Sequence, residues 1–105
     1  MLSPIHRQKA KSHSILALIY GKQQQYEKCN EYRMKALEMS KQLVMKGNNI
    51  FDIGEVFENI GELYREEKNW KKARKYYKRT LKYYKQDLHP SIARIRNVIE
   101  KLQKV

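Results

Sequence analysis

Apolar residues recur at three- and four-residue steps along most of the chain, and no segment alternates with period two. That pattern predicts helices throughout and no strands, an all-α fold. Ser3 and Pro4 open a first helix, with a capping hydroxyl before a proline at the first helical position, where its missing N–H costs nothing. This helix runs to about Gly21, and a second spans Tyr26 to Lys46, stopped by Gly47 and an Asn48-Asn49 turn. A third runs from about Asp52 to Glu67, Asn69 caps a fourth from Trp70 to about Gln86, and His89-Pro90 opens a fifth that ends near residue 104.

The helices repeat. A shift of 44 residues superposes Leu16 on Ile60, Ala17 on Gly61, Tyr20 on Tyr64, Tyr26 on Trp70, Cys29 on Ala73 and Leu37 on Leu81. Each pair is alike in chemistry, so the chain reads as two helix pairs, about 4–46 and 50–86, and a capping helix over about 90–104. In the second copy, Phe57-x-x-Ile60-Gly61-x-x-Tyr64 followed by Ala73-x-x-x-Tyr77 resembles the tetratricopeptide signature. The first copy, His13-x-x-Leu16-Ala17-x-x-Tyr20 with Cys29-x-x-x-Arg33, departs from it by placing arginine where an aromatic belongs. The resemblance implies an antiparallel helix-pair solenoid whose small residues allow close helix crossings. The long repeat, His89-Pro90 and Asn97 are similar to the kinesin light chain type. Pins-type polarity scaffolds and Rap-type peptide sensors also have long repeats. Glu100 stands where that pattern has a small residue, which suits a terminal cap with one face in water.

The stretch KKARKYYKRTLKYYK, residues 71–85, mixes cations and rings. On a helix, Trp70, Ala73, Tyr77, Thr80, Leu81 and Tyr84 share one face, with Tyr76 and Tyr83 beside it. Lys71, Lys75, Lys78, Lys82 and Lys85 recur on the opposite side. The wheel separates rings from cations, whereas a base-stacking platform needs both on one surface. The expectation is a buried aromatic face with a solvated basic back, and the ridge of lysines is the alternative site, for nucleic acid or another acidic surface.

Glu55, Glu58, Glu62 and Glu66 fall on one face of the third helix. By the family resemblance, first helices of each pair line a concave groove, so these carboxylates form its acidic patch. Arg94, Lys101 and Lys104 are placed to meet them, either as interhelix ion pairs or beside a bound basic peptide. Asn59 resembles the groove asparagine that holds a ligand's main-chain amide, a role that suits a side chain able to donate and accept. Asn97 is a second candidate, and Leu18 offers apolar contact. Ser14 and Leu18 occupy the places where a carboxylate clamp carries lysine and asparagine, which argues against binding acidic chaperone tails.

The 105 residues suffice for one compact domain, complete or cut from a longer array. A net charge of +12 favours acidic partners without specifying one. Cys29, the single cysteine, excludes an internal disulfide, and its place in the signature predicts a buried, inert thiol. His6 and His13 are two helical turns apart, about 10 Å by the helical rise, too far to share a metal directly. No phosphate loop is present, and we expect no cofactor and no enzymatic activity. No apolar run is long enough to span a bilayer, and the N-terminal stretch lacks a secretory signal's apolar core. The expected setting is the cytoplasm and the expected partner another protein, with self-association a way to complete a short groove.

Overall fold

The computed structural model describes residues 4–45, 50–86 and 91–105. Among the described residues five helices follow one another: α1 (Pro4–Lys22), α2 (Tyr26–Met45), α3 (Ile50–Glu66), α4 (Trp70–Lys85) and α5 (Ile92–Gln103). The expected Ser3 cap, the Gly47 to Asn49 stop and the His89-Pro90 start lie outside the described residues. Helix α3 begins at Ile50, two residues before the expected start, so Asp52 falls in its first turn, where a carboxylate suits the helix dipole. The Asn69 side chain accepts from the Lys72 N–H at 3.3 Å, and Ser91 caps α5 through the Arg94 N–H at 3.3 Å.

Helix α1 packs on α2 and α3, α3 on α4, and α4 on α5, with a lighter contact between α2 and α3. The pairs α1–α2 and α3–α4 turn in the same way. Gln24 and Lys68, 44 residues apart, both take φ 61°, a left-handed conformation unusual for a side chain larger than glycine. Around each, the main-chain bonds coincide: Gln24 N to Gly21 O and Gln25 N to Tyr20 O in the first, Lys68 N to Arg65 O and Asn69 N to Tyr64 O in the second.

The main core lies between α3 and α4. Ile53, Val56, Phe57, Ile60 and Tyr64 of α3 are buried against Ala73, Tyr76, Tyr77 and Tyr84 of α4, with Ala36 and Leu43 from α2 and Val98 from α5. Full burial of such side chains contributes roughly 1.5–3 kcal/mol each. Rings fit because the facing helix recedes. A Cβ on Gly61 would lie 2.8 Å from Tyr77 ring carbons, and one on Gly54 would lie 2.7 Å from those of Tyr84. A smaller cluster of Ala17, Cys29 and Leu63 joins the two pairs.

Trp70 corrects the sequence reading: although its spacing matches the buried stripe, it is 45% exposed. It occupies the first position of α4, where the stripe has run past the end of the facing helix.

Candidate functional site

Three of the α3 carboxylates, Glu55, Glu58 and Glu62, are held by cations from both sides. Glu55 reaches Lys11 of α1 at 2.9 Å and Arg94 of α5 at 3.8 Å. Glu58 accepts from Lys101 at 2.8 Å and from the Tyr84 hydroxyl at 2.7 Å. Lys101 also pairs with Glu62, whose other oxygen meets Arg65 at 3.2 Å. Burial alone lowers the Lys101 ammonium, but its bonds to Glu58 and Glu62 outweigh that and leave it above its ordinary value. Glu66 is exposed.

Asn59 sits at the seam between the pairs. Its amide donates to Ser14 Oγ at 3.0 Å, and that hydroxyl donates to the Lys11 carbonyl at 2.7 Å. Ser14 is fully buried, so the seam is a polar contact set within an apolar boundary. Neither residue type nor periodicity signals this pairing, because the partners belong to different helices. Leu18 is half-buried against the Ala17, Cys29 and Leu63 cluster, while Ile15 and Ile19 beside it are 40% and 44% exposed. Asn97 and Arg94 are exposed on α5.

Lys71, Lys75, Lys78, Lys82 and Lys85 are all exposed on α4. The separation of rings from cations does not hold, however. Tyr64, Tyr76, Phe57 and Tyr83 stack in succession, with centroids 5.6, 5.8 and 5.7 Å apart. Cations cover this ladder: Lys72 and Arg33 over Tyr64, Lys75 and Arg79 over Tyr76, Arg79 over Phe57, and Lys82 over Tyr83. A single-helix wheel misses it because alternate rungs come from α3. The repeat could have revealed it, since the 44-residue shift takes Tyr64, Tyr76 and Phe57 to Tyr20, Tyr32 and His13. There Tyr20 stacks on Tyr32 and His13 lies tilted against Tyr32, both at 5.5 Å, with Lys28 over Tyr20 and Lys35 over Tyr32.

Cys29 is buried, and burial pushes its thiol up, which disfavours a nucleophilic thiolate. Among the described residues no cluster of His, Cys, Asp and Glu could hold a metal ion, and no helix is long and apolar enough to cross a membrane.

A tetratricopeptide repeat family matches residues 8–86, three-quarters of the chain and both helix pairs. The chain belongs to that family. Tetratricopeptide repeats are protein-interaction modules and not catalysts, and the arrangement of α1 to α4 is that of two successive repeats. No curated protein and no solved structure matches the chain.

Proposed function

We propose that the chain is a scaffold module that binds an extended or helical segment of another protein across α1, α3 and α5. The observation that carries this reading is the charge collected there: Glu55, Glu58 and Glu62 are gathered by Lys11, Arg94 and Lys101 beside exposed Ile15. Ion pairs at a partly exposed surface contribute little, about 0–1 kcal/mol. A basic side chain of a partner can therefore exchange with Lys11 or Arg94, the more exposed of these cations, at small cost, and Ile15 and Leu18 give it apolar contact. Asn59 spends one N–H on Ser14 and keeps amide capacity for a ligand's main chain. The repeat length and Asn59 favour the long-repeat type found in kinesin light chains and Pins-type scaffolds.

The test is selection of a displayed random-peptide library on the chain, followed by affinities for the enriched peptides. Enrichment of Lys and Arg is expected, with at least about tenfold weaker binding to an Asn59→Ala, Glu62→Lys variant, the loss typical of a central contact. A variant with Lys71, Lys75, Lys78 and Lys82 changed to Glu should keep them. Peptides that bind the first variant undiminished would overturn this reading.

A further inference from the structure

We infer that the cleft between α2 and α4 is a second binding site, for an acidic protein segment that carries an apolar anchor residue. This site goes beyond the proposed groove function: it lies on the other helix of each pair and has the opposite charge. Leu37, Lys41 and Val44 of α2 form one wall, Phe57 of α3 contributes to the lining between the walls, and Tyr76, Arg79, Lys82 and Tyr83 of α4 form the other. The cavity is about 510 Å³, enough for one large side chain and the backbone that presents it.

Three features specify the occupant. The first is charge. Among the described residues three cations and no carboxylate line the cleft, and no ion pair engages Lys41, Arg79 or Lys82. The second is preorganisation. Arg79 lies 5.3 Å from the Tyr76 centroid and 5.8 Å from that of Phe57, and Lys82 lies 5.8 Å from that of Tyr83, so the rings hold the charges in place before any ligand arrives. The third is an uncovered aliphatic wall, with Val44 40% exposed. An anion alone satisfies the cations and leaves Val44 and the open edge of half-buried Leu37 in water, whereas an anchored acidic segment covers both.

The first repeat supplies an internal control. Shifting Phe57, Arg79, Lys82 and Tyr83 back by 44 residues gives His13, Lys35, Glu38 and Met39, which line a depression of their own. There a glutamate replaces Lys82, so the wholly cationic rim belongs to the cleft and not to the repeat in general.

Single-stranded nucleic acid fits less well, because stacking needs an open ring face. Phe57 and Tyr76 are only 5% and 8% exposed, and Arg79 already covers both. A second copy of the chain is disfavoured by repulsion between two molecules of net charge +12.

The test uses the full chain and three fluorescent probes: a peptide of glutamates around one central phenylalanine, the same peptide with serine at the centre, and oligothymidine. Two variants each lose three cations, Lys41→Gln, Arg79→Gln, Lys82→Gln in the cleft and Lys71→Gln, Lys78→Gln, Lys85→Gln on the ridge. The anchored peptide should bind the cleft variant at least about tenfold more weakly and the ridge variant less than about threefold more weakly, and serine should cost about as much as the cleft variant. As a check that does not depend on how the variants fold, Leu37 and Val44 methyl resonances of the unaltered chain should shift on titration while those of Ile15 and Leu18 stay. The inference is overturned by equal losses in both variants, by indifference to the anchor, by shifts at Ile15 and Leu18, by absence of binding, or by oligothymidine displacing the peptide. The variants leave Asn59 and Glu62 intact, and the groove reading is tested by its own basic peptides, so the two readings fail by different results.

Discussion

The two helix pairs solve one packing problem in opposite ways. In α3–α4, Gly54 and Gly61 leave room on one helix for Tyr84 and Tyr77 on the other. The 44-residue shift takes these couples to Ala10 with Ser40 and to Ala17 with Arg33. Where the rings are lost, the glycines have become alanines, and the ring positions hold a buried serine and an arginine. Arg33, freed from the position of a core ring, extends to Glu67 at 2.7 Å and over Tyr64 at 4.6 Å, so it ties the first pair to the second. Identical turns thus close two unlike pairs, one filled by its own rings and one tied to its neighbour through Arg33.

The strongest way to break this comparison is to remove a ring. Tyr77→Ala should cost about 3–5 kcal/mol in urea unfolding, the range for emptying a buried aromatic site, while Arg33→Ala should cost about 1 kcal/mol. Similar losses at the two positions would show that the pairs are not built differently.

Next in size is the fit beneath that ring. Gly61→Ala should destabilise by about 1–2 kcal/mol, because overpacking against Tyr77 exceeds the gain in helix propensity. In the Tyr77→Ala background the same change should become stabilising, a reversal of sign that a double-mutant cycle reads directly.

Alkaline pH offers a third contrast. Burial, followed by the neighbouring Glu62 and Glu58 carboxylates, raises the Tyr77 phenol above its usual range. Burial and the bond to Glu58 do the same for Tyr84. Raised folded values mean that the unfolded chain releases these protons first. Their contribution is therefore complete below about pH 10, the ordinary phenol value, and is lost as pH rises through the folded values, with Lys101 acting in the same direction. The midpoint of denaturant unfolding should fall above that pH, and less steeply in Tyr84→Phe. Amides of α3 to α5 should lose exchange protection before those of α1 and α2.

The smallest effect is expected at His13, the counterpart of Phe57. Burial and the nearby Lys35 and Lys9 hold its imidazole below the ordinary value. The neutral ring's contribution is present above about pH 6.5 and is lost as pH falls through the lowered folded value. His13→Phe should remove that acid slope, with a change at neutral pH within about 0.5 kcal/mol.

Much of the fold was legible because it is written within single helices. Three- and four-residue spacing located all five, and Gly61 with Ala73 marked the close crossing. Trp70 misled because periodicity does not report where a facing helix ends. The candidate sites were less legible because their contacts join helices distant in the chain. The stripe of Glu55, Glu58 and Glu62 is visible on one wheel, and its cations on α5 could be guessed from charge. The bond between Asn59 and Ser14 could not, nor could a ring ladder whose rungs alternate between α3 and α4.

The matching turns at Gln24 and Lys68 carry one further consequence. Because their main-chain bonds coincide at a fixed interval, residues 26–69 form a unit that begins and ends at equivalent points of the fold. A second copy of that unit inserted in frame would meet the same joint on both sides. Length then becomes an adjustable quantity, and each inserted unit would present the same surfaces again at constant pitch, so that a one-point grip becomes multivalent.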